Sequence, residues 1–317
     1  MTAARTPRGD KPLGIRAASY FRRMARSWDL YLILLPALAC LIVFKYMPMW
    51  GVQIAFRKFN IFKGIAGSPW VGGANFVKLF HSKDFFVVLR NTLIISALKI
   101  GLLFPMGIFI ALVLNEIRCM PFKKATQTII YIPHFFSWII VAGIFTTLLS
   151  GSSGLVNKAI AGLGGNAVNF LTNARWFRSV LVFSSGWKES GWNAIIYIAA
   201  IAGVSQELYE AARIDGAGRL RQMWHVTLPG IAPTIVLMFI LRIGGLLEAG
   251  TEQILTMYNP VVYSVADVIG TYVYRIGLGK MDYAFGAAVG LFNSAVGFLL
   301  VMTGNALSRR LTGSSIW

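Results

Sequence analysis

Long apolar runs alternate with short polar, basic segments along the whole of this chain. A helix that crosses the hydrocarbon core of a bilayer needs about 20 predominantly apolar residues, and several stretches meet that length. The pattern predicts an all-α integral membrane protein whose six transmembrane helices cover about 30–49, 92–114, 128–149, 179–204, 230–247 and 284–306. The first run is longer than the apolar part of a cleaved leader, so we interpret it as a retained helix.

Composition supports a membrane protein over two other classes. Of the 317 residues 56% are hydrophobic and only 13% are charged, whereas soluble domains carry about 25% charged residues. This composition argues against a soluble globule and excludes a disordered chain. The net charge of +18 would suggest nucleic acid in a soluble protein. Here the basic residues flank apolar runs, where membrane topology explains them, and no nucleic-acid partner is expected.

The positions of lysine and arginine predict the orientation. Fifteen of them lie in four short segments on one side of the predicted membrane, eleven in the longer loops of the other side, and four within spans. Short basic segments stay in the cytoplasm, so both termini are predicted to be cytoplasmic. The basic side consists of the tail 1–29, the loops 115–127 and 205–229, and the C-terminal end.

Sequence signatures of catalysis are missing from this chain. It contains no G-x-x-x-x-G-K-[ST], H-E-x-x-H or G-x-S-x-G, and its three histidines, His81, His134 and His225, are far apart in sequence. We therefore expect no catalytic, cofactor or metal site in this chain, and another subunit would supply any energy. A secondary transporter stays an alternative, although it would tend to show broken helices in matching halves.

The loop 205–229 carries the most informative local pattern. Ser205 can cap a helix, and Gly216 and Gly218 can end it. A second short helix over 219–226 would then lead to Pro229 at the entry of the fifth span. The first helix presents small alanines beside charges, where a helix lying on lipid would present large apolar side chains. This favours a surface for docking to a protein over a lipid-bound helix.

One motif in this loop resembles a known family. Glu210-Ala211-Ala212, three residues, Gly216, nine residues and then Val226-Thr227-Leu228-Pro229 resemble the EAA loop of binding-protein-dependent ABC importers. Val226 replaces the usual isoleucine. The segments 46–51, 70–76, 131–138 and 305–310 resemble the carbohydrate-uptake branch of these permeases, in particular its complex-oligosaccharide subgroup. The resemblance covers about residues 30–312.

The resemblance implies a type I ABC importer permease in the bacterial inner membrane. Its expected partners are a second homologous permease, two ATPase subunits that bind ATP and Mg²⁺, an extracytoplasmic binding protein and an oligosaccharide moved by alternating access. Glu210 would pair with an arginine of the ATPase, Ala211 and Ala212 would pack in its cleft, and Gly216 would form the turn. The residues expected to couple to the ATPase are Glu207, Glu210, Ala211, Ala212, Arg213, Asp215 and Gly216.

Ionisable residues inside spans are costly and are therefore candidates for the substrate path. In span four a charged pair lies between two tryptophans, whose faces can stack on sugar rings. Gly186 and Gly191 would leave room for a ligand or loosen the helix. In maltose-type relatives the same segment lines the sugar site. The candidates are Ser185, Trp187, Lys188, Glu189, Trp192, Asn193 and Arg242, with a second cluster at His134, Ser137 and Trp138.

Alternatives stay open for these side chains and for the cargo. Lys188 and Glu189 could instead form an ion pair buried against the partner permease. Lys99 and Arg242 each suit a structural ion pair as well as a path-lining role. The basic outer loops and Lys188 favour an anionic oligosaccharide such as alginate or pectin fragments, while peptides, lipids and amino acids are other possible cargoes.

Overall fold

The computed structural model describes residues 27–151 and 153–312, and these residues fold almost entirely into helices. Within them no β-strand occurs, and an isolated bridge joins Arg57 to Trp70. The prediction of an all-α fold is confirmed. The helices are α1 Trp28–Leu41, α2 Gly64–Gly67, α3 Ala74–His81, α4 Lys83–Glu116, α5 Met120–Tyr131, α6 Trp138–Leu148, α7 Leu155–Gly162, α8 Ala174–Ala202, α9 Gln206–Ile214, α10 Arg219–Gln222, α11 Leu228–Gly244, α12 Thr251–Met257, α13 Tyr263–Ala266, α14 Ile269–Val273 and α15 Tyr283–Thr312.

Short π- and 3₁₀-helices join several of these elements. The π-helices are Ile42–Tyr46, Met223–Thr227 and Tyr274–Gly279, and the 3₁₀-helices are Met47–Phe56, Ile132–Phe135 and Pro260–Val262. As a result, four continuous helical segments in the described residues are long and apolar enough to cross a membrane: Trp28–Phe56, Lys83–Glu116, Arg219–Gly244 and Tyr283–Arg310. They contain all or most of four of the predicted spans, the first, second, fifth and sixth.

The predicted third span, 128–149, differs from the structure. The chain bends by 102° between Met120–Phe135 and Trp138–Leu148, so the prediction of one continuous helix is wrong. Pro133 has no N–H to continue the helix, and Ser137 is extended and accepts a hydrogen bond from the N–H of Ile140 (3.4 Å), which starts α6 in a new direction. Broken helices occur in membrane proteins where the irregular backbone is buried in protein or lines a cavity.

The predicted fourth span, 179–204, lies within α8 except for its last two residues, and α8 is the central helix of the larger unit. Near its N-terminal end, Phe177 and Leu181 pack with Ile95 of α4 and Val141 of α6. Near its C-terminal end, Ala194, Tyr197 and Ile201 pack with Ala111 of α4 and Ile231 of α11. A charged pair, Lys188 and Glu189, lies between these two apolar clusters. The fold therefore places these charges where α8 meets other helices rather than on a bare apolar face.

The predicted separate helix at 219–226 also differs from the structure. Helix α10, the π-helix and α11 run on without a break over Arg219–Gly244. Pro229 lies in the first turn of α11, and the N–H of Leu228 before it bonds the carbonyl of Met223, one residue further back than in an α-helix. A proline ring normally clashes with the carbonyl four residues earlier, and the wider π-turn avoids this. Pro229 therefore lies in the first turn of α11, as predicted, while the short helix before it is continuous with α11.

The chain divides into two compact units, Met1–Gln53 and Ile54–Trp317. In the described part of the first unit, α1 has no buried residue, and its leucines and its isoleucine are exposed. Such side chains suit a lipid environment, because acyl chains solvate them as well as a protein core would. The polar residues considered below belong to the second unit.

Candidate functional site

A polar cavity of about 350 Å³ lies where α4, α8 and α11 meet the turn after α11. Ligand pockets in proteins span about 300 to 1,000 Å³, so this cavity has room for a small ligand or for one unit of a longer one. Its polar lining consists of Ser96, Lys99, Ser185, Glu189, Arg242 and Glu248. Ser185, Glu189 and Arg242 are three of the predicted path residues, and the fold brings them together.

The turn between α11 and α12 is shaped around the ammonium group of Lys99. Lys99 Nζ donates to the carbonyl of Ala249 (2.8 Å) and to Gln253 Oε1 (2.5 Å). Ala249 (φ 49°) and Gly250 (φ 81°) are both left-handed, a conformation that is unfavourable for alanine. A Cβ atom at Gly250 would lie 2.5 Å from Lys99 Nζ. Backbone strain of this kind concentrates at functional sites.

Gln253 ties α12 to α8 from a fully buried position. Its Oε1 also accepts from Ser185 Oγ (2.9 Å), and its Nε2 donates to the carbonyl of Leu181 (2.8 Å) and to Ser184 Oγ (2.7 Å). The amide is therefore fully engaged, and it holds Lys99 at the cavity wall. Gln253 is not among the residues predicted from the sequence, although a glutamine followed by apolar residues in a predicted outer loop is a usable signal.

Arg242 lines the cavity without a partner. It forms no hydrogen bond or ion pair with any other residue of 27–151 and 153–312, and it is exposed. It also lines a second cavity of about 170 Å³ together with Asn193 and Tyr197. The structural ion pair that the sequence left open for Arg242 does not occur within this described part of the chain.

Lys188 and Glu189 attach the bend between α5 and α6 to α8. Lys188 is only 5% exposed. Its Nζ donates to the carbonyl of His134 (2.5 Å) and lies 3.6 Å from Glu189 Oε1. His134 Nδ1 lies 2.9 Å from Glu189 Oε2, and its ring stacks on Trp192 at 4.2 Å. Lys188 is thus occupied by internal contacts, while Glu189 reaches both the bend and the polar cavity.

The remaining candidates of α8 lie elsewhere. Trp187 packs near Phe136 and Phe145 and lines an apolar groove of about 760 Å³. A Cβ atom at Gly191 would lie 2.3 Å from the carbonyl oxygen of Ile130. Helix packing therefore occupies the space directly over Gly191, while Gly186 and Gly191 both line the apolar groove beside it. The two tryptophans do not flank the polar cavity, although Trp138 of the second predicted cluster does line it.

Helix α9 forms a separate surface, which we call the docking helix. Ser205 Oγ accepts from the N–H of Glu207 (3.2 Å), so the predicted cap is confirmed. The helix ends with N–H bonds from Gly216 to Arg213 (3.0 Å) and from Ala217 to Ala212 (2.8 Å), with Gly216 at φ 76°. These bonds form a Schellman motif, in which a left-handed glycine closes the helix. The predicted turn at Gly216 is confirmed.

The docking helix contacts the rest of the chain through one side only. Tyr209 packs with the Ile201 and Ile231 cluster, and its hydroxyl lies 3.0 Å from Thr227 Oγ1 in the π-helix before α11. Glu210 has no hydrogen-bonding or ionic partner for its side chain among the described residues. The outer side exposes Glu207, Glu210, Ala211, Arg213, Asp215 and Gly216, with Ala212 half-buried.

Apolar membrane-length helices, a polar cavity and an exposed docking helix together define a membrane-embedded transport subunit. Residues 103–313 match the family described as the inner membrane component of binding-protein-dependent transport systems, and the chain belongs to this family. It is a family of transport components and not of enzymes. The predicted membership of the binding-protein-dependent ABC permeases is confirmed.

Two curated relatives and a solved structure are similar along nearly the whole chain. The polygalacturonan/rhamnogalacturonan transport system permease protein YteP of Bacillus subtilis (strain 168) is 47% identical over 91% of this chain and 90% of its own. Protein LplB of the same organism is 45% identical over 93% of each chain. A crystal structure of a bacterial ABC transporter involved in the import of the acidic polysaccharide alginate matches with a TM-score of 0.86 and 42% identity, over 93% of this chain and 99% of that one. This chain therefore has the fold of an ABC transporter permease.

Proposed function

We propose that this chain is a permease subunit of an ATP-driven importer that moves an acidic oligosaccharide across the bacterial inner membrane. The observation that carries the proposal is the polar cavity, which the cationic side chains Lys99 and Arg242 line between transmembrane helices. Polygalacturonan and alginate, which relatives are named for transporting, are both polymers of uronic acids. The cationic side chains in the cavity wall can pair with the carboxylates of such an anionic substrate.

The importer needs further subunits, and the docking helix supports their placement. A second permease would complete the membrane pathway, and two ATPase subunits would bind ATP and Mg²⁺. A loaded extracytoplasmic binding protein would deliver the sugar, as the alginate pentasaccharide-bound periplasmic protein accompanies the related alginate transporter. Both termini and the docking helix lie on the cytoplasmic side in this proposal, because the short basic segments do.

One continuous helix would transmit the movement caused by ATP hydrolysis from the docking helix to the cavity. An ATPase cleft would receive Glu210, Ala211 and Ala212 of the docking helix, and the Tyr209–Thr227 contact (3.0 Å) would pass the movement on. The helix Arg219–Gly244 has 26 residues, about 39 Å at 1.5 Å per residue, and Arg242 near its end lines the cavity. Nucleotide on one side and the loaded binding protein on the other would bias the same two-state element.

Uptake in proteoliposomes tests this function. The complete importer, reconstituted with ATP on the ATPase side, is expected to accumulate labelled trigalacturonate that its binding protein delivers. The control is the same importer with an ATPase that binds but does not hydrolyse ATP, which should accumulate none. Uptake that continues with the inactive ATPase would contradict an ATP-driven importer. ATP-dependent uptake of a peptide or a neutral sugar, with none of oligogalacturonates or alginate oligomers, would keep the permease and overturn the acidic cargo.

A further inference from the structure

We infer that Lys99 and Arg242, with Ser96, form a carboxylate subsite that holds one uronate unit of the passing oligosaccharide. This inference rests on the proposed function and deepens it, because it identifies the side chains that distinguish an acidic sugar from a neutral one. Lys99 comes from α4 and Arg242 from α11, and both line the same polar cavity.

Two polar groups of this cavity lack partners within the described chain. Ser96 is 4% exposed, and its Oγ is buried without a hydrogen bond. It lies three residues before Lys99, which places both side chains on one face of α4. Arg242 is the second unpartnered group. Buried polar atoms are nearly always hydrogen-bonded, so the unpartnered Ser96 hydroxyl indicates a place for a polar ligand in the cavity that the exposed Arg242 guanidinium also lines.

The unused donors fit a carboxylate. An ammonium group has three N–H donors, of which Lys99 gives two to Ala249 and Gln253 and keeps one. Arg242 keeps all of its donors within the described chain. A carboxylate has two oxygens, so it can accept a charge-assisted bond from each cation. Two cations that line one cavity repel each other, and a bound anion relieves that repulsion.

The acidic side chains of the cavity fit the rest of a sugar unit. Glu189 and Glu248 also line the cavity. Glu189 lies 3.6 Å from Lys188 Nζ, which offsets its charge, and a carboxylate accepts hydrogen bonds from sugar hydroxyls. An inorganic anion would leave these acceptors unused, and a neutral sugar would offer no anionic acceptor to the free donors of Lys99 and Arg242. A hydroxylated monocarboxylate, which is what a uronate unit is, uses both kinds of group.

The subsite does not include Lys188, the residue that suggested an anionic cargo from sequence. Lys188 is held by the carbonyl of His134 and by Glu189, and it is not part of the cavity wall. Acidic-sugar recognition therefore moves from α8 to the facing helices α4 and α11. Ser185 stays near this site through its bond to Gln253, the residue that positions Lys99.

The test compares trigalacturonate with its fully methyl-esterified form, which keeps the sugar skeleton and removes its charges. Uptake by the complete importer is measured for wild type, Arg242→Gln, Lys99→Gln and Lys99→Arg with the same binding protein. The variant-to-wild-type ratio for each sugar then cancels differences in delivery. Arg242→Gln should lower trigalacturonate uptake by about ten- to a hundred-fold, the range for a lost bond to a charged group, and ester uptake by less than about threefold. Lys99→Arg should retain most of the acidic-sugar uptake.

A control variant and the choice of Arg242→Gln as the deciding variant distinguish a change in sugar specificity from a folding defect. Lys83→Gln removes a charge from the exposed start of the same helix and should change neither sugar. Lys99→Gln deprives the Ala249 carbonyl of its donor and can weaken the fold, so Arg242→Gln decides the outcome because it leaves no internal partner unpaired. An equal loss on both sugars, or no loss on either, would overturn the subsite. A wild-type importer that accumulates neither sugar would contradict the proposed function instead.

Discussion

The docking helix and the polar cavity are assembled from contacts of very different range. The docking helix depends on neighbours in sequence: Ser205 bonds the N–H of Glu207, and Tyr209 reaches Thr227, 18 residues on. The cavity depends on distant ones, since Lys99 bonds the carbonyl of Ala249 across 150 residues. One region is a local motif exposed on its outer side, and the other exists only when several membrane helices are packed together.

Because the two regions are assembled differently, mutations in each region should cause a different defect. A change in the docking helix should leave the packing of α4, α8 and α11 intact, because that helix meets the rest through Tyr209 and a short turn. A change in the cavity should leave the docking helix intact for the same reason. Effects of distant sites that share no partners are usually additive, so coupling and substrate choice should respond independently to mutation.

The largest effect is expected from Gly216→Val. Gly216 has φ 76°, a left-handed conformation that costs an L-residue about 1–2 kcal/mol, and a β-branched side chain tolerates it poorly. The turn that closes the docking helix should open, and sugar uptake should fall by more than about tenfold while the protein still inserts into the membrane and assembles. Uptake and ATP hydrolysis are measured side by side in proteoliposomes.

Gly218→Ala is the matched control for this change. Gly218 has φ −67° and open space where a Cβ would lie, so alanine should leave uptake close to wild type. Equal losses from both changes would mean that the turn responds to any added side chain, and that left-handed geometry is not what the docking helix requires. Coupled uptake by Gly216→Val would contradict the role of the turn.

Lys188→Met should have a smaller effect, on stability rather than on substrate choice. It leaves the carbonyl of His134 without its donor and Glu189 without the neighbouring lysine. Leaving buried polar groups unpaired costs about 1–3 kcal/mol, so the melting temperature of the detergent-solubilised complex should fall by several degrees. The ratio of acidic to esterified sugar uptake should stay that of the wild type, in contrast to Arg242→Gln.

Lys83→Met, at the exposed start of α4, is the matched loss of a lysine and should leave the melting temperature unchanged. If Lys188→Met instead altered the sugar ratio with no thermal effect, Lys188 would contact the substrate. Substrate recognition would then belong to α8, as the sequence alone suggested, and not to α4 and α11. The measurement therefore separates a lysine that holds a bend from one that lines a path.

The sequence predicts the docking helix well because every part of it is local. A cap at Ser205 and a left-handed glycine at Gly216 depend on near neighbours, and both are as predicted. The cavity is only partly predictable, since Arg242 and Glu189 are recognisable as charges inside spans. Which of Lys99 and Lys188 faces the cavity depends on how α4 and α8 pack.

The prolines also show that local sequence does not predict features that depend on contacts with another helix. Pro105 lies inside α4 and Pro233 inside α11, and neither helix ends there. Pro133 does lie at a break, because Ser137 caps a new helix four residues later and the Lys188–His134 contact holds the bend. The composition of the predicted third span does not reveal this, since the holding contact comes from another helix.

The smallest predicted effect tests the link between the two regions. Tyr209→Phe keeps the ring that packs with Ile201 and Ile231 and removes only the hydroxyl that lies 3.0 Å from Thr227 Oγ1. A single neutral hydrogen bond contributes about 1 kcal/mol, so uptake per ATP hydrolysed should fall by up to about fivefold. Thr227→Val removes the other half of the pair, and the double variant should lose no more than the worse single one. Additive losses would mean that the two side chains act separately, and that movement of the docking helix reaches Arg219–Gly244 through the backbone turn.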